Sequence, residues 1–262
     1  MQTAQPLPSP AIPNVAETLR LLTEAEIRRM FGMGLFPCDG ANLDAVAPLA
    51  AAIDTAIFVS QHLPETPAFV DSGALLDEAM RRREVEGLVL EFGVFSGRTI
   101  NRLAAQTPQK IYGFDSFEGL PEDWRPDVGK GSFRAGLPAV AANVELVVGW
   151  FDRTLPDFLA RNEGPASLIH IDCDLYSSTK TVFDCCADRI VPGTILVFDE
   201  FFNYVGWRRH EFRAFTEFAE KAKIDFDYIG YVPSHQQAAV RVRATGRQSA
   251  PVKSRGGRKR AA

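Results

Sequence analysis

An α/β fold built on a mostly parallel sheet is what this chain predicts, and three observations predict it. After Glu86, short runs rich in apolar, β-branched and aromatic residues alternate with stretches of helical character, the pattern of parallel strands joined by helical crossovers. The opening run, "LVLEF" from residue 88, is dense in apolar side chains, as in a strand covered on both faces. The last two runs are separated only by "PSHQ", so they predict an antiparallel hairpin at the end of the sheet.

The elements follow in order. Residues 1–14 hold four prolines and little periodicity, and are read as a flexible lead. Residues 15–85 carry a helical signal. "LDAVAPLAAAIDTAIFVSQHL" is one amphipathic segment, interrupted near Pro48. "DSGALLDEAMRRR" is another, with Asp71 or Ser72 as its N-cap. No strand-like alternation intervenes, so this region is expected to form an N-terminal helical cap. Residues 86–243 hold the strand candidates "GLVLEF", "KIYGFD", "VELVVG", "SLIHID", "TILVFD", "FDYIGYV" and "QAAVRV". Residues 244–262 are polar, basic and poor in large apolar groups, and are expected to be disordered. There is no internal repeat.

Composition narrows the function. From Arg241 onward there are eight Lys or Arg and no acid, which leaves 21 basic against 33 acidic residues in the body. An acidic body is a poor nucleic-acid surface. No apolar run approaches the ~20 residues of a membrane span, and the N-terminus lacks the pattern of a secretory signal. The cysteines Cys38, Cys173, Cys185 and Cys186 have no metal-ligand spacing, and buried thiols in a reducing cytoplasm are expected.

In an open α/β sheet, ligands bind at the carboxyl ends of the strands. "EFGVFSGRT" places Glu91, Gly93, Val94, Phe95, Gly97 and Thr99 at the end of the first strand and the start of a helix. Glycines let the turn approach a ligand, and the helix N-terminus offers N–H groups to an anion. The dinucleotide pattern G-x-G-x-x-G fails here, because Phe95 and Arg98 stand at its second and third glycine positions. An acid two residues before the first glycine, with a second glycine four after it, suits S-adenosylmethionine better. Glu91 is then expected near its ammonium. Asp115 lies 18 residues beyond Gly97 at the end of the second run, where an acid accepts hydrogen bonds from ribose hydroxyls.

"EFGVFSGRT", "YGFDSFEGLPEDW", "GWFDRTLP", "IHIDCDLYSST" and "VFDEFFNYVGWRRHEF" together resemble the macrocin O-methyltransferase (TylF/MycF-like) family of class I S-adenosylmethionine-dependent methyltransferases. The resemblance runs over residues 86–243 with the motifs in the same order. It implies a Rossmann-like, mostly parallel seven-stranded sheet with an antiparallel last strand. One departure is Phe95, where methyltransferase loops usually have a glycine; the family accepts a large residue there.

Asp172 and Asp174 end the fourth strand candidate, and Asp199 and Glu200 end the fifth. Adjacent strand tips lie about 5 Å apart. Carboxylates that close raise one another's pKa unless a positive charge sits between them, and oxygen-rich sites suit Mg²⁺ or another divalent cation. The resemblance implies the same ion, with Asp172, Asp199 and Glu200 as ligands; Glu200 stands where Asp is frequent. A metal that holds a hydroxyl lowers its pKa and orients it. Asp174 is then the candidate base and His210 the second choice.

The expected cofactor set is completed by Ser116 and Phe117, by Trp150 and Phe151 for stacking on adenine, and by Asp172. "VGKGSF", residues 128–133, is read as a loop able to cover the site, with Tyr204 and Trp207 beside the substrate. His62 and His235 have no predicted partner. The expected partner is a small-molecule hydroxyl acceptor, with homo-oligomerisation left open. A metal-independent methyltransferase, an NAD(P)-type oxidoreductase and a non-catalytic nucleotide-binding protein are the rival readings.

Overall fold

The computed structural model describes residues 43–246. The predicted lead, the first part of the helical region and nearly all of the basic tail lie outside the described residues, as does Cys38. Helices α1 (Leu43–His62) and α2 (Ser72–Arg81) come first, and α1 runs unbroken through Pro48, where an interruption was expected, because a proline in the opening turns of a helix costs few main-chain bonds. The sheet region then runs β1 (Leu88–Phe92), α3 (Arg98–Ala104), β2 (Ile111–Asp115), β3 (Val144–Val148), α4 (Phe151–Arg161), β4 (Ala166–Ile171), α5 (Tyr176–Cys186), β5 (Ile195–Phe198), α6 (Glu211–Ala222), β6 (Asp225–Tyr231) and β7 (Ala238–Ala244). Asp71, not Ser72, caps α2: its carboxylate accepts the Ala74 N–H at 2.7 Å.

The seven strands form one sheet in the order β3-β2-β1-β4-β5-β7-β6. Strands β1 to β5 pair in parallel, and β7 is antiparallel to both β5 and β6. The order reverses between β1 and β4, whose tips therefore border the crevice where ligands of such sheets bind.

Helices cover both faces because strand residues alternate sides. Leu75 and Leu76 of α2 and Ile100 and Leu103 of α3 pack with Val89, Ile111, Leu168 and Val197. On the other face, Phe158 of α4, Phe183 of α5 and Phe215 of α6 pack with Leu90, Phe114, Ile169 and Phe198. Phe58 of α1 joins this second core, its ring 5.5 Å from Trp207 and 5.4 Å from Phe212, both edge-on. Burying such a side chain contributes roughly 1.5–3 kcal/mol, so α1 is bound to the sheet by its own apolar stripe. At the other end, Gly246 N–H donates to Ala222 O at 3.0 Å, so ordered contacts reach two residues past β7.

Candidate active site

A cavity of about 460 Å³ opens at the carboxyl ends of β2, β1, β4 and β5. The loop after β1 shapes its floor. Gly93 adopts φ +92, and a Cβ placed there would meet the Asp172 carbonyl oxygen at 1.7 Å. That glycine is thus required by the passage of β4, whatever binds above it. Gly97 caps α3 in the left-handed region at φ +77.

Asp115 organises the same loop. One carboxylate oxygen accepts the N–H groups of Val94 and Phe95, both at 2.9 Å, and the other accepts Phe117 N–H at 2.7 Å. Asp115 lines the cavity and keeps acceptor capacity for a ligand hydroxyl. Gly93, Phe95, Ser116, Trp150, Phe151 and Asp172 also stand in its wall, whereas Val94, Gly97, Thr99 and Phe117 lie behind it.

Glu91 departs from its expected place at the ligand's ammonium. It is fully buried and absent from the wall. Its Oε1 accepts Thr99 Oγ1–H at 3.0 Å and its Oε2 lies 3.0 Å from His170 Nδ1. The cause is register: Glu91 and His170 are paired residues on adjacent strands β1 and β4, with side chains on one face.

The mouth is aromatic. Phe95 and Phe133 both line the cavity, are 46% and 44% exposed, and meet edge-on with centroids 5.9 Å apart. Phe133 ends the predicted 128–133 loop. That loop is tied down by Leu120 N–H to Ser132 O, Gly131 N–H to Leu120 O and Lys130 N–H to Asp123 Oδ1.

Asp172, Asp174, Asp199 and Glu200 line the same cavity. Main-chain bonds from Asp172 N–H to Phe92 O and from Asp199 N–H to Ile171 O continue the ladder and hold both aspartates at their strand tips. A fifth carboxylate, which the sequence reading missed, lies beneath them. Glu211, the first residue of α6, is fully buried and accepts Cys173 N–H at 3.3 Å and Glu200 N–H at 3.2 Å. It clips the two acid-bearing loops together. Its signal was an acid in the first turn of a helix beside His210, in "RRHEF".

The crowding shows in proton affinity. Burial, then the Asp199 charge, raises Asp174 to about 7, with Arg125 opposing. Burial and the neighbouring carboxylates push Asp172 and Glu200 well above the usual range. Glu211 moves the same way, against the pull of its two N–H donors. Asp174 also sits at φ +62, in the left-handed region. An Asp tolerates it, and such strain collects at functional positions.

The metal set is only partly assembled as expected. Among the described residues, one ring nitrogen of His170 and carboxylate oxygens of Asp172 and Asp199 lie within 4.8 Å of one another. Glu200, predicted as the third ligand, is outside that group, its main chain drawn to Glu211. His170 Nε2, Glu200 Oε2 and Gln237 Oε1 are buried without a hydrogen-bond partner, while Gln237 Nε2 donates to Asp199 Oδ1 at 3.0 Å.

His210 is outside the wall. Its ring lies beside those of Trp124 and Tyr204, at 6.3 and 6.1 Å. Burial, then Arg209 and Arg125, lowers its pKa. Trp207 is a core residue, not a pocket residue: it packs on Phe212 at 4.7 Å under the Arg208 guanidinium. Tyr204 is buried and lies outside the wall, its O–H 3.4 Å from the Glu200 carbonyl. His62 packs on Phe58 at 4.6 Å, and His235 Nδ1 lies 2.8 Å from Gln237 Nε2, so both have partners. Cys173, Cys185 and Cys186 are free thiols.

Comparison with known proteins meets this geometry. Residues 90–201 match the family model described as "Methyltransferase domain". A curated relative from Streptomyces olivaceus, 8-demethyl-8-(2,3-dimethoxy-alpha-L-rhamnosyl)-tetracenomycin-C 4'-O-methyltransferase, is 29% identical over 143 residues, 45% of this chain. The chain spans about half of that relative, 54% of its length. The crystal structure of CalS11, calicheamicin methyltransferase, superposes with a TM-score of 0.52 at 22% identity, covering 84% of this chain and 93% of that one. The seven-stranded sheet is therefore a Rossmann-like methyltransferase fold, with the methyltransferase-domain match running from β1 to just past β5.

Proposed function

We propose that this chain is an S-adenosylmethionine-dependent O-methyltransferase that methylates a hydroxyl of a small sugar or natural-product acceptor, assisted by a divalent cation. The observation that carries the proposal is one cavity lined both by a glycine loop with Asp115 and by the carboxylates Asp172, Asp174, Asp199 and Glu200. The S. olivaceus relative, by its name a 4'-O-methyltransferase of a rhamnosyl-bearing compound, supports a sugar hydroxyl as the acceptor class.

The residues suit both groups. S-adenosylmethionine supplies an electrophilic methyl carbon on a sulfonium. Asp115 offers an acceptor for ribose hydroxyls, and Trp150 and Phe151 offer aromatic surface for adenine. Phe95 and Phe133 restrict water at the mouth. The acid cluster suits a cation, because its carboxylates crowd together half-buried or buried and three polar atoms around them lack partners among the described residues. Asp172 and Asp199 would hold that ion, which when bound would supply the positive charge that lowers a hydroxyl's pKa.

Asp174 receives the acceptor's hydroxyl proton on its carboxylate. Asp174 lines the cavity with Asp172 and Asp199, where a base for that proton is needed. Holding the hydroxyl beside Asp174 and in line with the methyl carbon contributes several kcal/mol by proximity. The test is mass-spectrometric detection of methyl transfer to nucleotide sugars and sugar-bearing natural products. EDTA should abolish turnover and Mg²⁺ or Mn²⁺ should restore it. Full turnover by the metal-free protein would remove the cation from the mechanism.

A further inference from the structure

We infer that His170 is a direct ligand of the divalent ion, so that the centre is one imidazole with two carboxylates, Asp172 and Asp199, and prefers a first-row transition ion such as Mn²⁺ to Mg²⁺. The inference rests on the divalent-cation reading above and deepens it.

Three observations carry it. First, the ligand atoms of His170, Asp172 and Asp199 lie within 4.8 Å of one another. Around an ion with bonds of about 2.1 Å, neighbouring ligand atoms stand about 3 Å apart and opposite ones about 4.2 Å. Second, the imidazole is already aimed. Its Nδ1 is 3.0 Å from Glu91 Oε2, and Glu91 is itself held by Thr99 Oγ1 at 3.0 Å. Nδ1 faces Glu91, so Nε2 is the nitrogen left to bind. Carboxylate–imidazole–metal relays have this arrangement. Third, His170 is fully buried, and Nε2 has no hydrogen-bond partner. A buried nitrogen without a partner is costly, and an ion shared with Asp172 and Asp199 would satisfy it.

The donor chemistry then decides the ion. An all-carboxylate site suits Mg²⁺. An imidazole is a borderline ligand that moves the preference toward first-row transition metals. The relay also gives Glu91 a role: it orients a ligand from the strand next door and does not itself touch the methyl donor.

The test uses the full-length protein titrated with Mn²⁺ alone and read by pulsed electron paramagnetic resonance, with histidine selectively enriched in ¹⁵N. The expected result is a ¹⁵N coupling of a directly bound imidazole, absent from His170→Gln and retained in His235→Ala. Glu91→Gln should keep the coupling while weakening Mn²⁺ binding by about 10–100-fold. If His170→Gln fails to fold, the wild-type and His235→Ala spectra decide. Bound Mn²⁺ without ¹⁵N coupling, or a coupling lost in His235→Ala, overturns the inference and leaves the cation reading standing. No Mn²⁺ binding at all overturns both.

Discussion

Asp174 is the residue on which the proposed chemistry turns. Its pKa is raised from an ordinary value of 3.8 to about 7 by burial, then by Asp199. In the metal-free protein the base form therefore grows as pH passes about 7; an ion beside Asp199 lowers that point, so the rising limb of turnover should lie below 7. Asp174→Asn should remove this limb and most of kcat, which a pH–rate profile would show. Stability runs the other way. Between 3.8 and 7 the folded protein holds a proton that the unfolded chain has released, so stability should fall as pH rises across that window. Urea unfolding of metal-free wild type at several pH values, set against Asp174→Asn, measures it. Gly93 makes a second residue-scale prediction. A side chain there meets the Asp172 carbonyl, and its positive φ alone costs roughly 1–2 kcal/mol in an L-residue. Gly93→Ala should lower stability by at least that much, with or without ligand; an unchanged melting temperature would refute the clash.

At the scale of elements, the loops after β4 and β5 are joined through the first turn of α6. Glu211→Ala leaves the N–H groups of Cys173 and Glu200 without their acceptor, at about 1–3 kcal/mol each. It should weaken Mn²⁺ binding in calorimetry more than it weakens S-adenosylmethionine binding, because the cofactor loop hangs on Asp115 instead. Equal losses for both would mean that Glu211 only supports the fold. Asp115, Asp172 and Asp199 were legible in the sequence because each closes an apolar run, and Asp174 and Glu200 follow within two residues, so their position at the strand tips follows from pattern alone. Glu211 and His170 were not. What each does depends on pairing between segments far apart in the chain: Glu91 meets His170 only through β1–β4 register. Trp207 was misplaced for a related reason. Its aromatic neighbours come from α1 and α6, and periodicity does not say which helix faces which.

For the whole molecule, the alternation of strands and helices foretold the sheet and its antiparallel last strand, because parallel strands need crossovers and a four-residue link permits only a hairpin. Gly246 N–H is bound to the Ala222 carbonyl at the C-terminal end of α6, so described contacts reach three residues past 243. A chain ending at Gly246 should keep the melting temperature and cofactor affinity of the full length; a large loss in either would mean that the basic tail packs or binds. Titration calorimetry with S-adenosylmethionine and, separately, NAD asks most directly whether the cavity is a methyl-donor site, and it needs no acceptor. S-adenosylmethionine should bind one per chain and NAD should not. Asp115→Ala should weaken the affinity by about 5–150-fold, the equivalent of roughly 1–3 kcal/mol. Binding of NAD with no heat from S-adenosylmethionine, or an Asp115→Ala affinity equal to wild type, would contradict the assignment.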